Sequence, residues 1–242
     1  YLTKLYMKIT NTTFLFLSFF CTLCLSLTFQ SNFTLEGLID ETNKVPELIV
    51  NKVKNYKLVS LPHNLKYALP TYQIIAYSEA STNLARYTGI RYGASEKLEG
   101  DYNEYFTKIR SRYFQKESKR RIIIGTFARM AGFKETYFMK AMKTRTLMIN
   151  EFQRAFQEYD ILLCPTTTKT APHFDEIEKM TPLEHAKMDL LTVGPNLAGL
   201  PHVSINCGSI KRLPVGVMAI ANHVEEETLK QWCLKFKKKE KS

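Results

Sequence analysis

Residues 134–159, KETYFMKAMKTRTLMINEFQRAFQEY, hold a helical period throughout and then lead straight into DILLCP. An amphipathic helix that hands over without a linker to a short apolar run stopped by Pro165 is the pattern of a helix feeding a buried strand. HVSINCG (202–208) and VGVMAIA (215–221) read as two more strands joined by a short turn. EEETLKQWCLKFKK closes the chain as an amphipathic helix, acidic at its start and basic at its end as the helix dipole favours. Strands interleaved with helices predict an α/β domain: a mixed sheet covered by helices.

Upstream, the same texture begins near Lys44. VPELIVNKVKN (45–55) predicts a short amphipathic helix and YKLVSLP a strand ending at Pro62. Pro70 suits the first turn of the next helix, where its missing N–H costs nothing. Tyr72, Ala76, Ala80, Leu84 and Tyr87 then follow a spacing of three and four, and Gly89 can supply a left-handed C-terminal cap. The two alanines in that stripe let a second backbone approach closely, or leave room for a ligand. KRRIIIGTFARMAG (119–132) is another helix, ended by Gly132.

Residues 1–44 do not share this pattern. The run NTTFLFLSFFCTLCLSLTF (11–29) is almost continuously apolar, and its core is somewhat short for a membrane span. It fits the apolar region of a signal peptide, or a start that is incomplete or misjoined, since the chain opens on Tyr. The division expected is an unmatched segment over 1–44 and one domain over 45–242, without stable membrane insertion. Thirty-four Lys and Arg against 23 Asp and Glu give a net charge of +11, which suits an anionic partner such as RNA or a basic compartment. The five cysteines are too few and too scattered for a disulfide framework. Cys164, Cys207 and Cys233 read as reduced core residues, and Cys21 and Cys24 match a redox motif by spacing alone. No His/Cys cluster has zinc spacing, so no metal is expected.

One cation stands out. At about 100° per residue, with Arg145 at zero, Phe138, Phe152 and Phe156 fall within about 20° and Ile149 and Ala141 within about 40°. Arg145 is therefore centred on the apolar stripe of its helix. A guanidinium keeps its proton, so burial demands a carboxylate or several hydrogen-bond acceptors. An internal ion pair or a stem lying along apolar surface with its head in water would meet that demand. So would a bidentate clamp on the carboxylate of a ligand such as an amino acid.

SLPHNLKYALPTYQIIAYSEASTNLARYTGIRYG, KRRIIIGTFARMAGF, YFMKAMKTRTLMINEFQRAFQEYDILLCPTTT, VGPNLAGLPHVSINCG and LPVGVMAIA follow one another in an order that resembles the amidase signature family, in its branch of tRNA-dependent amidotransferase A subunits. The resemblance spans roughly residues 45–236 and corresponds to the C-terminal half of such subunits. It implies hydrolysis of glutamine, with the ammonia passed to a B subunit that uses ATP and Mg to convert Glu-tRNA(Gln) to Gln-tRNA(Gln), and a small C subunit clasping both. It implies a mitochondrial or other organellar matrix, or the cytoplasm of a bacterium. The family's Ser–cis-Ser–Lys triad has no counterpart in these residues, so none is assigned a catalytic role and no cofactor is expected on this chain. The arginine of the family's KxRTL segment, here Arg145 in KTRTL, is expected to bind the α-carboxylate of glutamine. Two other expected contacts differ: Ala94 stands where the family has Tyr after RYG, and Lys211–Arg212–Leu213 where it has an acid before GLPVG. PTTT (165–168) leaves a strand end, where α/β sheets keep their sites, and lines the pocket or forms a plain turn. The alternatives are a catalytically inactive remnant that acts as a binding partner, and a free-standing amidase.

Overall fold

The structure, a computed structural model, describes residues 6–8 and 57–239. The expected helix over 45–55, the apolar run 11–29, Cys21 and Cys24, and the boundary at 44/45 lie outside them. Among the described residues two compact units emerge: one formed by those up to Leu69 together with those from Arg145 onward, the other by Pro70–Thr144.

The first unit is built on a five-stranded sheet of β1 (Tyr6–Lys8), β2 (Leu58–Val59), β3 (Ile161–Pro165), β4 (His202–Ile210) and β5 (Leu213–Ala221), in the order β2-β1-β3-β5-β4. Each of its four pairings is antiparallel, so the α/β class holds while the sheet is not mixed. Alternation along β3 sends successive side chains to opposite faces. Ile161 and Leu163 join Ile205, Val217, Leu229 and Phe236 on one face. Leu162 and Cys164 join Phe152, Ala155, Met218 and Ile220 on the other. Helix α8 (Glu226–Lys239) thus covers the first face and α4 (Lys140–Phe156) the second. The run DILLCP is apolar throughout because β3 is buried on both sides. Three short helices, α5 (Phe174–Lys179), α6 (Pro182–Lys187) and α7 (Val193–Ala198), fill the connection from β3 to β4.

Helix α1 runs from Pro62 to Asn83, so the proline at its start is Pro62 and Pro70 lies inside it. Pro62, not Pro70, occupies the first turn, where a missing N–H costs nothing, and Pro70 forgoes one helical hydrogen bond. The buried positions are Asn64, Ala68, Leu69, Thr71, Ile75, Tyr77 and Ser78, not the predicted stripe; Tyr72 is exposed and Ala76 and Ala80 are intermediate. The helix then tightens into a 3₁₀ turn, Leu84–Arg86. Gly89 does take a left-handed conformation (φ 83°), but in the loop beyond that turn and not as the helix cap.

The second unit contains α2 (Tyr102–Tyr113) and α3 (Lys116–Arg129), followed by a π-helical turn at Glu135–Met139 that leads into α4. Asp101 caps α2 by accepting the backbone N–H of Glu104. Arg110 reaches back to the end of the 3₁₀ turn, donating to the carbonyls of Leu84 (2.9 Å) and Tyr87 (3.1 Å). The close approach predicted for α1 exists, at a different pair of residues: a Cβ on Gly125 would lie 1.8 Å from the Tyr77 carbonyl oxygen.

Candidate functional site

Helix α4 carries two polar groups on its packed side. Arg145 is half-buried, and its Nε donates to the carbonyl of Leu197 at 2.6 Å. Leu197 belongs to the last turn of α7, which stops at Gly199 in the left-handed conformation (φ 72°). The last carbonyls of a helix lack partners within it, and a cation there is favoured by the dipole. The glycine and the short helix of VGPNLAGLP therefore aim an acceptor at the guanidinium. Among the described residues no carboxylate pairs with Arg145. One donor of the fork is used on the carbonyl, and the remaining N–H groups have the planar geometry that accepts a carboxylate.

Nearly two turns further along, Glu151 is 3% exposed although the helical wheel puts it well away from the centre of the stripe. It receives the N-terminus of α1. Its Oε1 accepts the backbone N–H of His63 at 2.9 Å and lies 2.6 Å from His63 Nδ1. Its Oε2 accepts from the backbone N–H and from Nδ2 of Asn64, each at 3.0 Å. Asn64 Nδ2 also donates to the carbonyl of Met148 at 3.1 Å. A carboxylate at the positive end of α1 satisfies two of its orphan donors at once. Sequence reasoning missed this group because the partner comes from another helix; the only signal was an acid three positions beyond a buried methionine.

At the end of β3, Thr166 donates its N–H to the Gly216 carbonyl at 3.0 Å, and its hydroxyl lies 2.6 Å from that of Ser204. A Cβ at Gly216 would approach these two oxygens to 2.8 and 2.5 Å, so the glycine makes the hydroxyl pair possible. Of the remaining threonines of PTTT, Thr168 is buried and Thr167 bonds within its own turn.

Lys211 and Arg212 form the two-residue turn between β4 and β5, both with positive φ (50° and 70°). That backbone matches the right-handed twist of a hairpin but is normally supplied by Asn or Gly, so the turn is strained by about 1 kcal/mol or more per residue. A groove of about 490 Å³ beside it is lined by Asn206, Gly208, Ser209, Arg212 and Pro214; Arg145 does not line it. Ala94 is exposed in the loop after Gly93, within the second unit.

The first unit is an α/β arrangement, a sheet with a helix on each face, and the amidase family profile matches residues 47–229. The chain belongs to the amidase signature family. It is 50% identical to the glutamyl-tRNA(Gln) amidotransferase A subunit of Archaeoglobus fulgidus, over 71% of this chain and 37% of the relative. It is 41% identical to the protein of the same name from Oceanobacillus iheyensis, over 85% of this chain and 43% of the relative. Among solved structures, the glutamyl-tRNA(Gln) amidotransferase A subunit of Thermotoga maritima matches with a TM-score of 0.51 at 33% identity, over 77% of this chain and 35% of that one. An amidase crystal structure at 18% identity and a TM-score of 0.54, over 79% of this chain and 40% of that one, shares the fold. The chain thus spans about two fifths of the length of the relatives it matches.

Proposed function

We propose that this chain acts as the glutamine-binding portion of the A subunit of a tRNA-dependent amidotransferase, in the translation pathway that converts Glu-tRNA(Gln) to Gln-tRNA(Gln). The observation that carries the reading is Arg145: a guanidinium within a packed helical face, held by a backbone carbonyl and paired with no acid among the described residues. Such a group binds the α-carboxylate of glutamine with its free edge, while B and C subunits, ATP and Mg serve the later steps elsewhere in the complex. The high identity to proteins of that name supports this substrate over those of a free-standing amidase.

The test is isothermal titration of the purified chain with glutamine. Arg145→Ala is expected to weaken binding by about 2 kcal/mol, the worth of a charge-assisted bidentate pair, with Arg145→Lys recovering only part of it. Circular dichroism and the urea midpoint should stay close to those of the parent chain. A parent chain that binds no glutamine, or an Arg145→Ala chain that binds it equally well, would overturn the reading. A second reading, an inactive binding partner, draws on the Lys211–Arg212 turn, where the resemblance calls for an acid. Ammonia release from glutamine by the complex with B and C subunits separates the two: release supports the first, and assembly without release supports the second.

A further inference from the structure

Helix α3 buries Gly125 and Ala128, and turns a quite different set of residues outward. Lys116, Lys119, Ile123, Phe127 and Met130 recur at spacings of three and four, so they form one stripe. Ile123 is 68% exposed, Met130 50% and Phe127 40%. Past the end of the helix the stripe continues in Phe133 and Tyr137, whose rings lie 4.4 and 5.6 Å from that of Phe127. Large side chains that pack on one another and still face water mark an interaction surface more often than singly scattered ones do.

The other end of the stripe is cationic. Lys116, Lys119, Arg120 and Arg121 stand against a single carboxylate, Glu117, which both arginines already hold. A groove of about 420 Å³ is lined there by Lys116, Lys119, Arg120 and Ile123. Along α3 the cations of the stripe therefore stand at one end and Ile123, Phe127 and Met130 at the other. A single-stranded nucleic acid prefers cations alternating with stacking platforms. A second copy of the chain would bring no carboxylate from this stripe to the lysines.

We propose that this face docks an amphipathic protein segment, with carboxylates at the Lys116–Lys119 end and apolar side chains covering Ile123, Phe127 and Met130. The contact is of the helix-in-groove kind, with anchors at i, i+4 and i+7 and acid–base pairs fixing the direction.

The experiment uses the full chain and a synthetic amphipathic helical peptide bearing leucines along one face and glutamates at one end, with a twin carrying lysines instead. Fluorescence anisotropy is expected to show the glutamate peptide binding at least about tenfold tighter than its twin. Ile123→Ser with Phe127→Ser should weaken it by about tenfold or more, and Lys116→Glu with Lys119→Glu should reverse the preference. All four positions are exposed, and an unchanged dichroism spectrum checks the fold of each variant. Absence of binding, equal binding of both peptides, or affinity untouched by either double substitution overturns the proposal. So does tighter binding of a single-stranded RNA oligonucleotide, or a concentration-dependent dimer that Phe127→Ser abolishes.

Discussion

At the scale of single residues, Arg145 and Glu151 were not equally legible. A helical wheel counts neighbours on one helix, and Arg145 stood out because its neighbours are aromatic. Glu151 escaped because what fixes it is the N-terminus of α1, 87 or 88 residues away in sequence. The structure inverts their prominence: Arg145 is half-buried, Glu151 almost wholly so. Glu151→Gln places an amide N–H₂ among donors and is expected to cost about 2 kcal/mol, and Glu151→Ala about 3 kcal/mol, because buried Asn64 and half-buried His63 then lose the acceptor for their N–H groups. Urea midpoints measure both, and an unchanged midpoint for Glu151→Gln would show that the carboxylate is dispensable. Glu117 gives a pH-dependent case. Hydrogen bonds from Arg120 and then Arg121 hold its carboxyl at about 2, below the ordinary 4.5. A depressed carboxylate contributes stability that is present above its unfolded value and lost as pH falls towards the folded one. The stability gap between the parent chain and Glu117→Gln is therefore expected to close between about pH 4.5 and pH 2, and to shrink with salt because the pair is exposed. A gap independent of pH in urea titrations would contradict it.

At the scale of elements, apolar runs marked β2, β3, β4 and β5, since β3 and β5 are covered on both faces and β4 has a packed face, whereas β1 lies in the segment set aside by the sequence and the order of strands in the sheet had no local signal. Starts and stops were less legible. Pro62 and Pro70 are chemically alike, and α1 begins at the first, where Glu151 accepts from the opening N–H groups. The hairpin turn at Lys211–Arg212 contains neither Gly nor Asn, so its positive φ had no local signal. Glycines illustrate how packing separates residues that look the same. Gly125→Ala drives a Cβ into the Tyr77 carbonyl, a backbone atom that cannot swing aside, and is expected to cost about 3 kcal/mol or more. Gly132→Ala meets no atom within 4 Å, and only its left-handed backbone (φ 85°) resists, at about 1 kcal/mol. Thermal unfolding of the two variants should differ in that order; equal losses would mean that α1 and α3 are not in the contact described.

At the scale of the whole molecule, the described chain separates into units whose boundaries, 69/70 and 144/145, both fall within helices. Composition gives no linker there, because helical residues span both points, and this is why no boundary was visible. The units also differ in charge: Pro70–Thr144 has 14 Lys and Arg against seven Asp and Glu, most of the chain's net +11. The sheet unit offers its own gauge of stability. Cys164 is wholly buried on β3, and burial pushes its thiol far above the ordinary value, which suppresses the thiolate that alkylating reagents require. Cys207 is equally buried on the opposite face. Peptide-resolved iodoacetamide labelling should leave both unmodified under native conditions. In urea the two should label together, because the faces they occupy are joined through β3 and β5 and open only when the sheet does. Leu162→Ala removes a fully buried side chain beside Cys164 and is expected to cost about 2–5 kcal/mol, raising the labelling rate of both thiols by at least about thirtyfold where opening is in rapid equilibrium. Labelling of Cys164 that outruns Cys207 in this variant would show that the two faces open separately, and that the sheet is not the cooperative core of its unit.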